Sequence, residues 1–202
     1  DWFDGAQTVG ITAGTSTPVA IPDNSPDAGG ASGIYISPTD SQLSGIVNPY
    51  VTSVSSVVFT ITGGWDSDFT LVLKHIDGGV SQSVTLFSLL PYANSGFNTV
   101  TVTSGSTSLT GASSSYTTTP ITGTIGGVDF RPFQGVSATG DWILYATDNS
   151  GGFNGTLTGW TLNMEAVPEP VNVALGIFAG VVGVGVLQRK LKWGKQKEEI
   201  KR

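Results

Sequence analysis

The segment that most constrains this 202-residue chain is Val167 to Trp193, VPEPVNVALGIFAGVVGVGVLQRKLKW, in which prolines precede an uncharged apolar run and basic residues follow it. From Val171 to Leu187 the only strongly polar side chain is Asn172. As a helix the run would be about 26 Å long, just enough to span a bilayer core. Pro168, Glu169 and Pro170 predict a stiff extended joint, because each proline fixes its own φ and pushes the preceding residue out of the helical region. The expected organisation is a domain over 1–166, a hinge over 167–170, a transmembrane helix over 171–188 and a basic tail over 189–202.

Charge follows the same division. Only Lys74 and Arg131 precede Pro170, against thirteen carboxylates, a net −11; the tail carries seven cations against two carboxylates, a net +5. Such asymmetry signals either a nucleic-acid-binding arm or a membrane-surface arm, and the apolar run selects the membrane. Lys and Arg gather on the cytoplasmic flank of a spanning helix, so Arg189, Lys190, Lys192 and the interfacial Trp193 are expected to anchor a cytoplasmic tail. The domain then lies outside, across the membrane from the tail. The chain opens on Asp1 without an apolar leader, which is expected to have been removed. Within the helix, Gly176 with Gly180 and Ala179 with Gly183 place small residues on one stripe, where another helix packs closely. The partners expected are therefore lipid and other membrane-protein subunits, with no nucleic acid.

Cysteine is absent, which rules out disulfides, thiolate metal sites and a cysteine nucleophile. Before Pro168 the chain reads as strands. VSSVVFTITGG and DFTLVLKHIDGG cluster β-branched and aromatic residues and stop at Gly pairs, as GDWILYATDNSGG does, while GTLTGWTLNME alternates Leu157, Trp160, Leu162 and Met164 with small polar residues. The fold class predicted is mainly β, an antiparallel β-sandwich or jelly roll followed by one transmembrane α-helix. Ser104 to Thr119 is almost entirely Ser, Thr and Gly, either a solvated loop or hydroxyl-lined edge strands; a long surface hairpin is expected. Trp142 and Trp160 are expected in the core, where each would bury about 150 to 250 Å².

Two resemblances accompany these readings. Val-Pro-Glu-Pro, the apolar run and the basic cluster look like the PEP-CTERM sorting signal, which in that family holds an exported protein in the inner membrane until an exosortase removes it, and so implies a periplasmic domain on a bacterial inner membrane; here QRKLKWGKQKEEIKR extends beyond the usual few arginines. From about Ile21 to Met164 the chain resembles the P domain (Homo B module) that follows subtilisin-like catalytic domains. Gly140, Trp142, Leu144, Asp148, Gly155, Leu157, Trp160 and Leu162 fall where that family keeps its closing strands, and Asp68 falls at its Asp-Leu position, with Phe69 in place of Leu. The resemblance implies an eight-to-nine-stranded jelly roll without catalytic residues.

Candidate chemistry is sparse. His75, the only histidine, precedes Asp77 on one strand face, yet no nucleophile elbow accompanies it, and a strand-end histidine before a Gly turn is the expectation. Asp66, Asp68 and Asp77 cluster in sequence, and Asp148 joins them if the resemblance holds, an oxygen set suited to Ca²⁺; Asp is also a default turn residue, and turns are expected. No catalytic, metal or cofactor residue is assigned. The function expected is a non-enzymatic, single-pass accessory subunit of a membrane complex of photosynthetic, respiratory or transport type. The alternative is an exosortase substrate that becomes an extracellular matrix or carbohydrate-binding protein.

Overall fold

The computed structural model describes residues 7–12, 18–21, 32–36 and 49–168. The expected span 171–188, its packing residues Gly176, Ala179, Gly180 and Gly183, and the anchoring Arg189, Lys190, Lys192 and Trp193 lie outside these residues. Among the described residues no helix is long and apolar enough to cross a membrane.

Eleven strands form two sheets among the described residues, more than the eight or nine that the resemblance implies. In chain order they are β1 (Gln7–Thr12), β2 (Val19–Ile21), β3 (Ser32–Ile36), β4 (Pro49–Gly63), β5 (Phe69–Asp77), β6 (Val80–Ser88), β7 (Phe97–Val102), β8 (Ser108–Thr110), β9 (Ile121–Ile125), β10 (Asp141–Asp148) and β11 (Gly155–Pro168). The larger sheet runs β1-β11-β4-β7-β9-β8, with β2 also paired to β11; the smaller runs β3-β10-β5-β6. The four segments singled out in the sequence become β4, β5, β10 and β11. β11 continues through Pro168, so the first two residues of the expected hinge are strand.

Both sheets turn their apolar residues to one shared core. β5 alternates buried Phe69, Leu71 and Leu73 with half-buried polar and aliphatic residues, and β11 turns Leu157, Trp160, Leu162 and Met164 inward. Phe59 and Phe97 of the larger sheet meet Phe87 of the smaller at 5.8 and 5.3 Å between ring centroids. Edge-to-face and offset packing of this kind adds about 0.5–1.5 kcal/mol per pair to the burial itself. Phe69 fits beneath backbone at Gly64, where φ is +70° and a Cβ would come within 2.2 Å of the ring, so no larger residue is accommodated there.

One connection departs from an antiparallel sandwich. β9 pairs parallel with β7 and antiparallel with β8. The Ser/Thr/Gly run does form the outer strand and loop of a long hairpin, β8 with β9, but the hairpin is tied into the sheet: the chain leaves β7, lays down β8 as the outer strand, and returns so that β9 fills the slot between them. The return segment, 111–120, crosses one end of the sheet. That end also carries the turn before β5, the approach to β7 and the turn between β10 and β11.

Candidate functional site

Polar residues lock this end together. Asn94, fully buried, lies just before β7. Its Nδ2 donates to the carbonyls of Gly111 (2.7 Å) and Thr119 (2.8 Å), the two ends of the crossover, and its Oδ1 accepts the Ser113 N–H (2.9 Å). Backbone bonds finish the clasp: Ala93 N–H to Ser113 O, Thr117 N–H to Ala93 O and Ser95 N–H to Thr117 O, at 2.8, 3.1 and 3.1 Å. A primary amide offers two donors and an acceptor from a single short side chain, the combination needed where strands leave carbonyls and N–H groups of both kinds unpaired.

Asp66 ties the neighbouring turn to this hub. Its backbone N–H donates to Asn94 O (3.1 Å), and its Oδ1 accepts the Asn94 N–H (2.9 Å). Its Oδ2 is buried without a hydrogen-bond partner among the described residues. Burial pushes its carboxyl up to about 6, only partly offset by the backbone N–H of Asn94 and its neighbours. The unfolded chain titrates near the ordinary 3.8, so this contribution to stability is fully present below about pH 4 and lost as pH rises through about 6. Asp66→Asn keeps the accepting oxygen and removes the buried charge. Its denaturation midpoint relative to the parent chain is expected to rise between pH 4 and 7; parallel pH profiles for the two proteins would contradict the assignment.

Around the hub stand three aromatic side chains from three loops. Trp65, half-buried, contacts Tyr116 at 4.5 Å and Phe153 at 5.5 Å between centroids, with interplanar angles of 59° and 90°. Tyr116 is 65% and Phe153 61% exposed, among the most exposed large apolar side chains described. Phe153 is carried by the turn whose Asn149 bonds back to Asp68 O through its N–H (2.8 Å) and Nδ2 (2.7 Å). The outcome is a firm polar platform beneath exposed rings. Neither Asn94 nor the three aromatics stood out in the sequence reading; the available signal was aromatic residues stranded in turn-forming runs, YTTT and GGFN.

The carboxylates expected to gather are divided. Asp148 pairs in register with Phe69, which brings it beside Asp68, but Asp77 lies at the far end of β5, about 27 Å away at the usual rise per residue. Asp68 Oδ1 accepts the Ser67 hydroxyl and Asp148 Oδ1 the Ser150 N–H, so both serve as turn residues. Among the described residues no three His, Cys, Asp or Glu side chains are grouped to hold a metal ion.

His75 lies at the opposite end from Asn94. It is 3% exposed, stacks on Trp142 at 4.3 Å, and shares a 2.7 Å hydrogen bond between Nε2 and Thr139 O. A carbonyl only accepts, so Nε2 carries the proton. Trp142 Nε1 donates to the adjacent carbonyl of Ala138 (3.2 Å), and the two rings together pin the chain entering β10. The histidine is a structural staple, and both Trp142 and Trp160 are buried in the core.

A depression of about 320 Å³ lies between Ser53, Ser104, Asp129, Phe130 and Gln134. The cation lining it, Arg131, is taken up by Asp129 through Nε (2.8 Å) and Nη2 (2.7 Å), and that pairing draws the Asp129 carboxyl down to about 2. In comparisons with known proteins, the chain matches no family model and no curated protein.

Proposed function

We propose that this chain is a non-enzymatic, single-pass subunit of a bacterial membrane protein complex, a periplasmic sandwich of jelly-roll type that braces the assembly and meets it through the aromatic end. The observation that carries this reading is the trio Trp65, Tyr116 and Phe153, with two rings exposed on loops held by a buried amide. Isolated exposed apolar residues are ordinary, but contiguous exposed aromatics on a fixed support mark contact surfaces. Loops mixing aromatics with Ser, Gly and Asn at one end of a β-sandwich also have the composition of protein-binding loops, in which large rings supply contact area and small polar residues supply adaptable hydrogen bonds.

The apolar run 171–188 and its basic flank support the anchor, with Gly176, Ala179, Gly180 and Gly183 facing a neighbouring helix and Arg189, Lys190, Lys192 and Trp193 at the cytoplasmic boundary. The engagement of His75 with a backbone carbonyl argues against a general base. The test is sedimentation of the full chain extracted in mild detergent. The expected result is a large multi-subunit particle containing a chain whose mass extends to Arg202; a free monomer would contradict the proposal. The Pro-Glu-Pro element supports the second reading, a sorted extracellular matrix protein, for which intact mass would end near Pro170.

A further inference from the structure

We propose that the aromatic end recognises an arginine-bearing segment of its protein partner; this rests on the reading of that end as the contact surface. Trp65 and Asp68 are the first and last residues of one turn, closed by the Asp68 N–H to Trp65 O bond at 3.0 Å. The turn thus places a half-buried indole and a half-buried carboxylate at its two ends, with Asp66 buried between them in sequence and its Oδ2 without a partner among the described residues. Aromatic faces attract cations, Trp most strongly, and a guanidinium can stack on a ring while its N–H groups bond a carboxylate.

Charge points the same way. The four described loops of this end contain no Lys or Arg. The described domain's two cations are engaged elsewhere, Arg131 by Asp129 and Lys74 over the Tyr145 ring at 6.0 Å. An anionic partner would meet carboxylates with nothing to offset them. A neutral apolar partner would leave Asp68 without a counter-charge as the interface dried, which is costly. Because Asn94 already fixes the crossover, little ordering cost is added on binding.

The test uses the full chain in nonionic detergent and a Gly/Ser peptide carrying four arginines, titrated by calorimetry. Its controls are the citrulline version, which keeps the shape and removes the charge, and a neutral hexasaccharide. The arginine peptide is expected to bind at least tenfold tighter than the citrulline peptide and to weaken with salt. Trp65→Ala and Asp68→Asn are each expected to lower that affinity about fivefold or more, while Asp141→Asn, an exposed carboxylate at the opposite end, leaves it within twofold. Equal binding of the two peptides, no binding of the arginine peptide, binding of the hexasaccharide in its place, or insensitivity to Trp65→Ala would each overturn the proposal. The two levels separate: a particle that survives Trp65→Ala with Tyr116→Ala and Phe153→Ala refutes the contact surface, whereas one that falls apart while citrulline matches arginine refutes only the charge assignment.

Discussion

Trp142→Ala is expected to lower the stability of the sandwich by about 3–5 kcal/mol, the range for truncating a fully buried tryptophan, and its melting temperature by roughly 10 °C. The residue is wholly buried and touches both His75 and Phe133, the latter at 5.2 Å between centroids. Truncation opens a cavity where two rings lose their neighbour, and it leaves the Ala138 carbonyl without its indole donor. A domain without disulfides has a net stability of about 5–15 kcal/mol, so this loss approaches the lower end of the whole. Trp142→Phe keeps most of the packing and forfeits the hydrogen bond, and is expected to cost about 1–2 kcal/mol. Urea midpoints of the three proteins check the order; an alanine variant as stable as the parent would show that the ring is not part of the core.

Asn94→Ala is expected to cost about 3 kcal/mol, because it strands two carbonyls and an N–H inside the crossover, each such loss being worth about 1–3 kcal/mol before the loop relaxes toward water. The effect differs in kind from that at Trp142. Loss of the amide is predicted to loosen 111–119 while the core keeps its packing, so protease cleavage within that segment rises much more than global unfolding does. Asn94→Asp is informative beside it. Its oxygens still accept from Ser113 but cannot donate to Gly111 and Thr119, and a second charge is set against Asp66; it is expected to be worse than alanine at pH 7.

The core was readable in the chain because its signals are local. Buried and half-buried positions alternate along β5 and along β10 from Leu144 onward, Gly pairs end their segments, and such patterns specify which face of a strand turns inward whatever its neighbour is. What was not readable depends on partners far away. The run from Ser104 to Thr119 has no apolar period, so nothing in it announces that β9 inserts between β7 and β8. Asn94 resembles any turn asparagine until the crossover passes over it. Asp77 stood near Asp66 and Asp68 by count, but an extended strand of nine residues carries it to the other end of the sheet. His75 drew attention as a titratable group, and its role came from packing beside Trp142, a residue 67 positions later in the chain.

The proposal for function rests on the aromatic end being a built surface, and amide hydrogen exchange of the full chain measures that directly. The N–H groups of Asn94, Ser95, Ser113 and Thr117 all donate within the clasp. They are predicted to exchange as slowly as those of β5 and β10, and in Asn94→Ala to exchange at least a hundredfold faster while the strands remain protected. If these four amides in the parent chain exchange at the rate of an open loop, the rings stand on no fixed support and the account of the site is wrong.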